Sequence, residues 1–184
     1  MNQLAKSYII LIPLVLLVST GAAQQPRRAL TFDGVNDWVT VADANSLDLT
    51  SGMTLEAWVY PTALGSAWRT AIMKERPSGL AYALYANDGA GRPSAFTGSE
   101  LGVTGSSALT ASTWTHLAAT YSGSTLRLFV NGTQVATRSV GSALRVSANP
   151  LRIGGNAVWN EWFQGRIDEV RVYNRALTAA EVLS

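Results

Sequence analysis

The stretch from Trp114 to Val140 constrains this chain more than any other. Two turn signals, Ser122-Gly123 and Asn131-Gly132, divide it into three apolar-rich runs, which reads as three consecutive antiparallel strands. An Asn-Gly pair supplies the two positive-φ residues that a two-residue type I′ turn demands. With Asn131 and Gly132 as the loop, Val130 is expected to pair with Thr133 and Leu128 with Val135. Leu126, Leu128, Val130 and Val135 then share one face, and Arg127, Phe129, Gln134 and Arg138 share the other. One apolar and one mixed face describe an antiparallel sheet lying over a core, so the rest of the chain has to supply a second layer.

Residues 1–23 stand apart from that fold. Lys6 precedes an apolar run from Tyr8 to Val18, and Ser19 to Ala23 offer small residues before Gln24, the pattern of a cleaved secretory signal peptide. Eleven apolar residues interrupted by Pro13 fall short of the about 20 that span a bilayer. The absence of cysteine removes a lipoprotein anchor and any disulfide, although export leads to a compartment that permits them. An exported bacterial protein is expected, with residues 24–28 as a linker and residues 29–184 as one domain large enough to bury a core. Beyond residue 23 the chain carries 13 basic and 12 acidic residues, and no basic run interleaves with aromatics, which argues against a nucleic-acid partner.

Ala29 to Phe32 and Asp37 to Val41 read as strands on either side of a turn at Asp33-Gly34-Val35-Asn36. Thr54 to Tyr60 alternates Leu55, Ala57 and Val59 with Glu56, Trp58 and Tyr60, and Pro61 stops it. Thr70 to Lys74 and Leu80 to Asn87 form a pair across Arg76-Pro77-Ser78-Gly79, and a turn at 87–91 leads into a strand at Arg92 to Thr97. Ser99 to Ser112 reads as loop with one edge strand near Val103. Leu151 to Ile153 is a short strand, Asn156 to Trp162 an exposed loop, and Phe163 to Tyr173 the last long strand. Thr178 and Glu181 have capping-box spacing, so one short C-terminal helix begins there. Short strands with glycine turns and almost no helix give an all-β sandwich or barrel.

Five segments carry a family resemblance: Leu30 to Val39, Thr54 to Pro61, Trp114 to Gly123, Leu128 to Gly132 and Gly165 to Leu177. Together and in this order they resemble the laminin-G-like (LamG-like) jelly rolls of the concanavalin A-like lectin/glucanase superfamily. The resemblance implies a two-sheet antiparallel jelly-roll sandwich with its chain ends near one another. It also implies binding of glycans or other surface ligands, and in many relatives one calcium ion.

Calcium takes six to eight oxygen ligands. The Asp33 to Asp37 turn and Asp168-Glu169 offer carboxylates, and if the terminal strands are neighbours Asp33, Asp37 and Asp168 could share a structural ion. The alternative is that the two turn aspartates bond only turn amides and that Glu169 pairs with Arg171 or Arg166. Glu56, between Leu55 and Ala57, needs a partner if buried, and Arg171 is the candidate. Glycosidases hold two carboxylates about 5 to 10 Å apart. The Glu-x-Asp-x-x-Glu strand of the glucanase relatives is missing here, and Asp168 and Glu169, adjacent on a strand, point to opposite faces. The single histidine, His116, lies inside a strand motif, where packing or hydrogen bonding explains it.

Sugar binding calls for exposed aromatic faces with polar companions. Trp38, Trp58 and Trp114 lie in strand motifs and are expected in the core. Trp68, Trp159 and Trp162, with Arg69, Asn156 and Asn160 nearby, form the candidate site, the alternative being loop packing over the sandwich edge. The chain is therefore expected to be a secreted, non-catalytic module that binds extracellular or cell-surface polysaccharide, any calcium being structural. A protein-adhesion module, or a polysaccharide hydrolase or lyase with a non-standard site, is the alternative.

Overall fold

Alternating apolar residues at period two turn most of this chain into strands that bury one side each. The computed structural model describes residues 28–98, 101–141 and 144–182. In chain order the strands are β1 (Leu30–Asp33), β2 (Val39–Val41), β3 (Met53–Pro61), β4 (Trp68–Arg76), β5 (Gly79–Asp88), β6 (Ser94–Thr97) and β7 (Gly102–Thr104). They continue as β8 (Thr115–Tyr121), β9 (Thr125–Val130), β10 (Thr133–Ser139), β11 (Leu151–Ile153), β12 (Gly155–Asn156), β13 (Glu161–Trp162) and β14 (Gln164–Tyr173). One six-stranded sheet has the order β1-β14-β3-β8-β9-β10 and the other β2-β11-β4-β5-β6-β7, while β12 and β13 form a separate small hairpin. The two large sheets make the expected jelly-roll sandwich. The signal-peptide reading of residues 1–23 lies outside the described residues. No helix among the described residues is long and apolar enough to cross a membrane.

Between the sheets, Met53, Leu55, Val59, Leu117, Leu126 and Leu128 of the first sheet meet Ile72, Leu84, Ala86, Ala95, Val103 and Leu151 of the second. The first and last strands are neighbours, since Leu30 pairs with Ile167 and Asp33 with Gln164. The turn after β1 is no hairpin: β1 belongs to the first sheet and β2 to the second, so Asp33 to Trp38 carries the chain across the sandwich.

In the central hairpin Asn131 and Gly132 both take positive φ, 48° and 74°, and Val130 pairs with Thr133 as expected. The next step differs. A bulge between Gln134 and Ala136 places Ala136, and not Val135, opposite Leu128. Val135 and Ala136 both pack on the core, and the slip puts Arg138 opposite Leu126. From there Arg138 Nη1 donates to the Gly102 carbonyl of β7 across the sandwich edge, at 3.2 Å. Phe129, on the outward face, is also buried, because the C-terminal segment covers it with Tyr173, Leu177 and Val182. The capping box holds: Thr178 N donates to Glu181 Oε2 (2.8 Å), Glu181 N donates to Thr178 Oγ1 (3.3 Å), and helix α1 spans Ala179–Val182. Thr54 Oγ1 anchors this segment by donating to the Arg175 carbonyl and accepting from Leu177 N, both at 2.8 Å.

One close approach fixes how the last crossing is made. Gly154 has φ +82°, and a Cβ there would sit 2.2 Å from the Phe32 ring, which in turn meets Phe163 edge-on with centroids 6.1 Å apart. Gly154→Ala is therefore expected to lower the urea-unfolding free energy by about 3 kcal/mol through left-handed backbone strain and overpacking together. A loss below about 1 kcal/mol would show that Phe32 moves aside freely.

Candidate functional site

Strands of the second sheet turn aromatic side chains outward as well as inward. Opposite Thr70, Tyr85 faces away from the core, and Trp68 and Phe96 join it. Trp68 lies edge-on to Tyr85 (5.0 Å, 77°), and Phe96 contacts both, at 5.9 Å from Trp68 and 5.8 Å from Tyr85. With Leu80, Trp159 and Glu161 these rings line a groove of about 270 Å³. Trp159, 42% exposed, comes from the turn between β12 and β13.

That turn is held by a buried amide. Asn156, with no exposed surface, donates from Nδ2 to Thr70 Oγ1 (2.8 Å) and to Glu161 Oε2 (2.7 Å), while its Oδ1 accepts from Trp159 N at 2.8 Å. Thr70 Oγ1 in turn donates to Glu161 Oε2 at 3.3 Å, and Tyr85 adds a third hydrogen bond to the same carboxyl group. Burial pushes this carboxyl above the usual 4.5, against the opposing pull of its hydrogen bonds. On the other side of the turn, Ala157 N donates to Glu75 Oε1 at 2.7 Å, and Arg152 Nε to Glu75 Oε2 at 3.4 Å. Arg152 also lies 4.4 Å over the Trp38 ring, and Trp38 stacks on Trp162 with centroids 4.6 Å apart and planes 19° from parallel.

The six candidate residues thus divide. Trp68 and Trp159 both line the groove. Asn156 lies beneath it and positions both Glu161 and the Trp159 backbone. Arg69 donates from Nη1 to the Trp162 carbonyl at 2.9 Å, its Nε buried without a partner among the described residues. Trp162 is stacked on Trp38 instead of facing the groove. Asn160 takes φ 56° in the exposed turn. Tyr85, Phe96, Leu80 and Glu161 were not anticipated. For Leu80 and Tyr85 the signal was the unbroken apolar run of β5, which marks a strand covered on both faces; Phe96 on β6 and Glu161 on β13 had no such local signal.

Trp38, Trp58 and Trp114 are half-buried and lie outside the core. Trp58 packs on His116 (5.4 Å) on the outward face of the first sheet, and Trp114 on Tyr60 (5.4 Å) with Arg166 over both rings. Arg171 is opposite Glu56 in register and its charge acts on the Glu56 carboxyl, while its guanidinium bonds Glu169. Glu56 is hydrogen-bonded to Tyr173, with His116 Nε2 3.9 Å from its Oε1. Burial raises the Glu56 carboxyl and lowers the His116 imidazolium from their usual values.

Register separates the three aspartates considered for calcium. Asp33 is opposite Gln164, and Asp168 lies four residues further along β14, roughly 13 Å away at strand rise. Asp33 Oδ1 accepts from Val35 N (2.7 Å) and Asn36 N (3.3 Å), Asp37 Oδ2 accepts from Asp33 N (3.0 Å), and Asp168 Oδ1 from Glu169 N (2.8 Å). Among the described residues no three histidine, cysteine, aspartate or glutamate side chains are grouped to hold a metal. The trio does not fit a calcium ion.

A two-layer jelly roll with an aromatic groove on an outward sheet face defines a lectin-type β-sandwich. The chain belongs to the concanavalin A-like lectin/glucanases superfamily, its residues 33–183 matching the Laminin_G_3 family. Human pappalysin-1 is 41% identical over 76 residues, which are 39% of this chain and 5% of that protein. Domain 4 of AbnA, a GH43 extracellular arabinanase from Geobacillus stearothermophilus, solved in complex with arabinotriose, is similar in fold. It has a TM-score of 0.71 and 23% identity over 84% of this chain and 74% of that one. A putative carbohydrate binding protein from Bacteroides ovatus follows at 0.67 and 19%, over 84% of this chain and 47% of that one. At these identities the structural likeness is one of fold.

Two outcomes test this geometry. A carboxyl raised by burial favours the folded state below its ordinary value of 4.5, and that contribution is lost as pH rises through the folded value. Glu161→Gln removes the loss, so the variant should gain stability relative to wild type between pH 4.5 and 7 in urea titrations; parallel curves would refute a disfavoured carboxylate. Asp33→Ala should cost about 1 kcal/mol, equally in EDTA and in calcium, because what it removes is a turn acceptor.

Proposed function

We propose that this chain is an exported, non-catalytic module that holds a polysaccharide in the groove between Trp159 and the Trp68–Tyr85–Phe96 cluster. The convergence of aromatic side chains, among them the exposed Trp159, on one half-buried, hydrogen-bonded carboxylate carries this reading. Ring faces stack on the apolar sides of sugars, and Glu161 accepts hydroxyl hydrogen bonds that orient them. Asn156 and Thr70 fix the carboxylate in advance, so little ordering is left for the ligand to impose. The carbohydrate-binding neighbours in fold support the same class of ligand. Hydrolysis would need a second carboxylate about 5 to 10 Å from the first, and Glu161 is the one carboxylate among the groove's lining residues. The apolar run after Lys6 and the extracellular character of the arabinanase support export.

The test is a panel of glucan, galactan, mannan and arabinan in affinity electrophoresis. Wild type should be retarded by at least one, and Trp159→Ala should weaken that binding about tenfold or more. Because Trp159 is 42% exposed, its removal should leave the melting temperature nearly unchanged. Unaltered binding by this variant, or reducing sugar released from the panel, would overturn the proposal.

A further inference from the structure

We propose that the groove selects uncharged saccharides and rejects uronate- and sulfate-bearing ones, with the Glu161 carboxylate as the selecting group. This rests on the glycan reading above and names the class of glycan. The lining residues are Trp68, Leu80, Tyr85, Phe96, Trp159 and Glu161, and none of them is basic. The three groups that hydrogen-bond Glu161, namely Asn156, Thr70 and Tyr85, are neutral and leave its negative charge uncompensated.

The arginines of this sheet engage other groups, and none of them lines the groove. Arg152 bonds Glu75 and Thr40, and Arg92 bonds Asp88. Arg69 donates to the Trp162 carbonyl and Arg76 to the Gly98 carbonyl. Aromatic faces add to the field, because a ring presents the negative side of its quadrupole to whatever stacks on it. An acidic sugar entering here would lose hydration, meet a like charge and find no cation. An uncharged sugar meets none of these costs and gives the carboxylate hydroxyl donors, the stronger, charge-assisted kind of hydrogen bond. The rejection is local to the groove. Beyond residue 23 the chain has one more basic than acidic residue, so its overall charge does not repel acidic glycans.

The experiment immobilises each neutral polysaccharide of the panel beside the same polymer oxidised at its primary hydroxyls to carboxylates. Binding of the full chain is then read by biolayer interferometry. Wild type should bind a neutral form and bind its oxidised counterpart about tenfold or more weakly. Glu161→Gln should narrow that ratio. Independently of any variant, so should 1 M NaCl on wild type, where the screening length falls to about 3 Å. Equal or tighter binding of the oxidised form, with neutral binding still lost in Trp159→Ala, would overturn charge selection and leave the glycan reading standing. Failure of both forms to bind would remove the glycan reading and the selectivity with it.

Discussion

A buried amide joins the sandwich to its groove. Asn156 has two donor hydrogens and one carbonyl, and all three are used: toward Thr70 on the sheet, toward Glu161 on the facing strand of the hairpin, and from Trp159 in the turn. An unpaired polar atom at this depth costs more than a typical hydrogen bond contributes, so the three bonds form together or the hairpin opens. The position of Trp159 beside Trp68 and the orientation of the Glu161 carboxylate are consequences of that arrangement. The hairpin wall of the groove, although only two strands, is thereby tied to the sheet beneath it.

The same region shows how the protein tolerates charge at depth. Glu75 is 4% exposed and is matched by Arg152 and a backbone amide. Lys74, wholly buried between the sheets, is matched by Asp43 and the Asn149 carbonyl. Glu161 differs from these two: the groups that hydrogen-bond it are neutral, and burial disfavours its ionised form, as it does that of Glu56 on the other sheet. A half-buried carboxylate without a cation is disfavoured in the folded state, and its neutral hydrogen bonds offset that cost only in part.

Much of the sandwich was legible in the sequence because its signals are local. The Asn131-Gly132 turn, the period-two alternation of β3 and the Thr178/Glu181 capping box each specify geometry within a few residues. The bulge at Val135 was not legible. It accompanies a contact distant in sequence, Arg138 reaching the Gly102 carbonyl across the sandwich, which no local pattern announces. The tryptophans show the same limit. Trp38, in a strand motif, was placed in the core, yet its partners are Trp162 and Arg152, which lie more than a hundred residues away in the chain.

The candidate site was legible in part for a related reason. Loop position singled out Trp68 and Trp159, which line one groove, but it also selected Trp162, whose side chain turns the other way from the hairpin. Adjacent strand positions face opposite sides, so Glu161 and Trp162 could not both have lined the groove. The choice between them falls to Trp38, which offers an aromatic face at stacking distance on the far side of the hairpin. Once that stack forms, Glu161 is turned toward Thr70 and Tyr85, and the aromatic floor acquires its one charged group. A tryptophan pair outside the groove thereby sets the chemistry inside it.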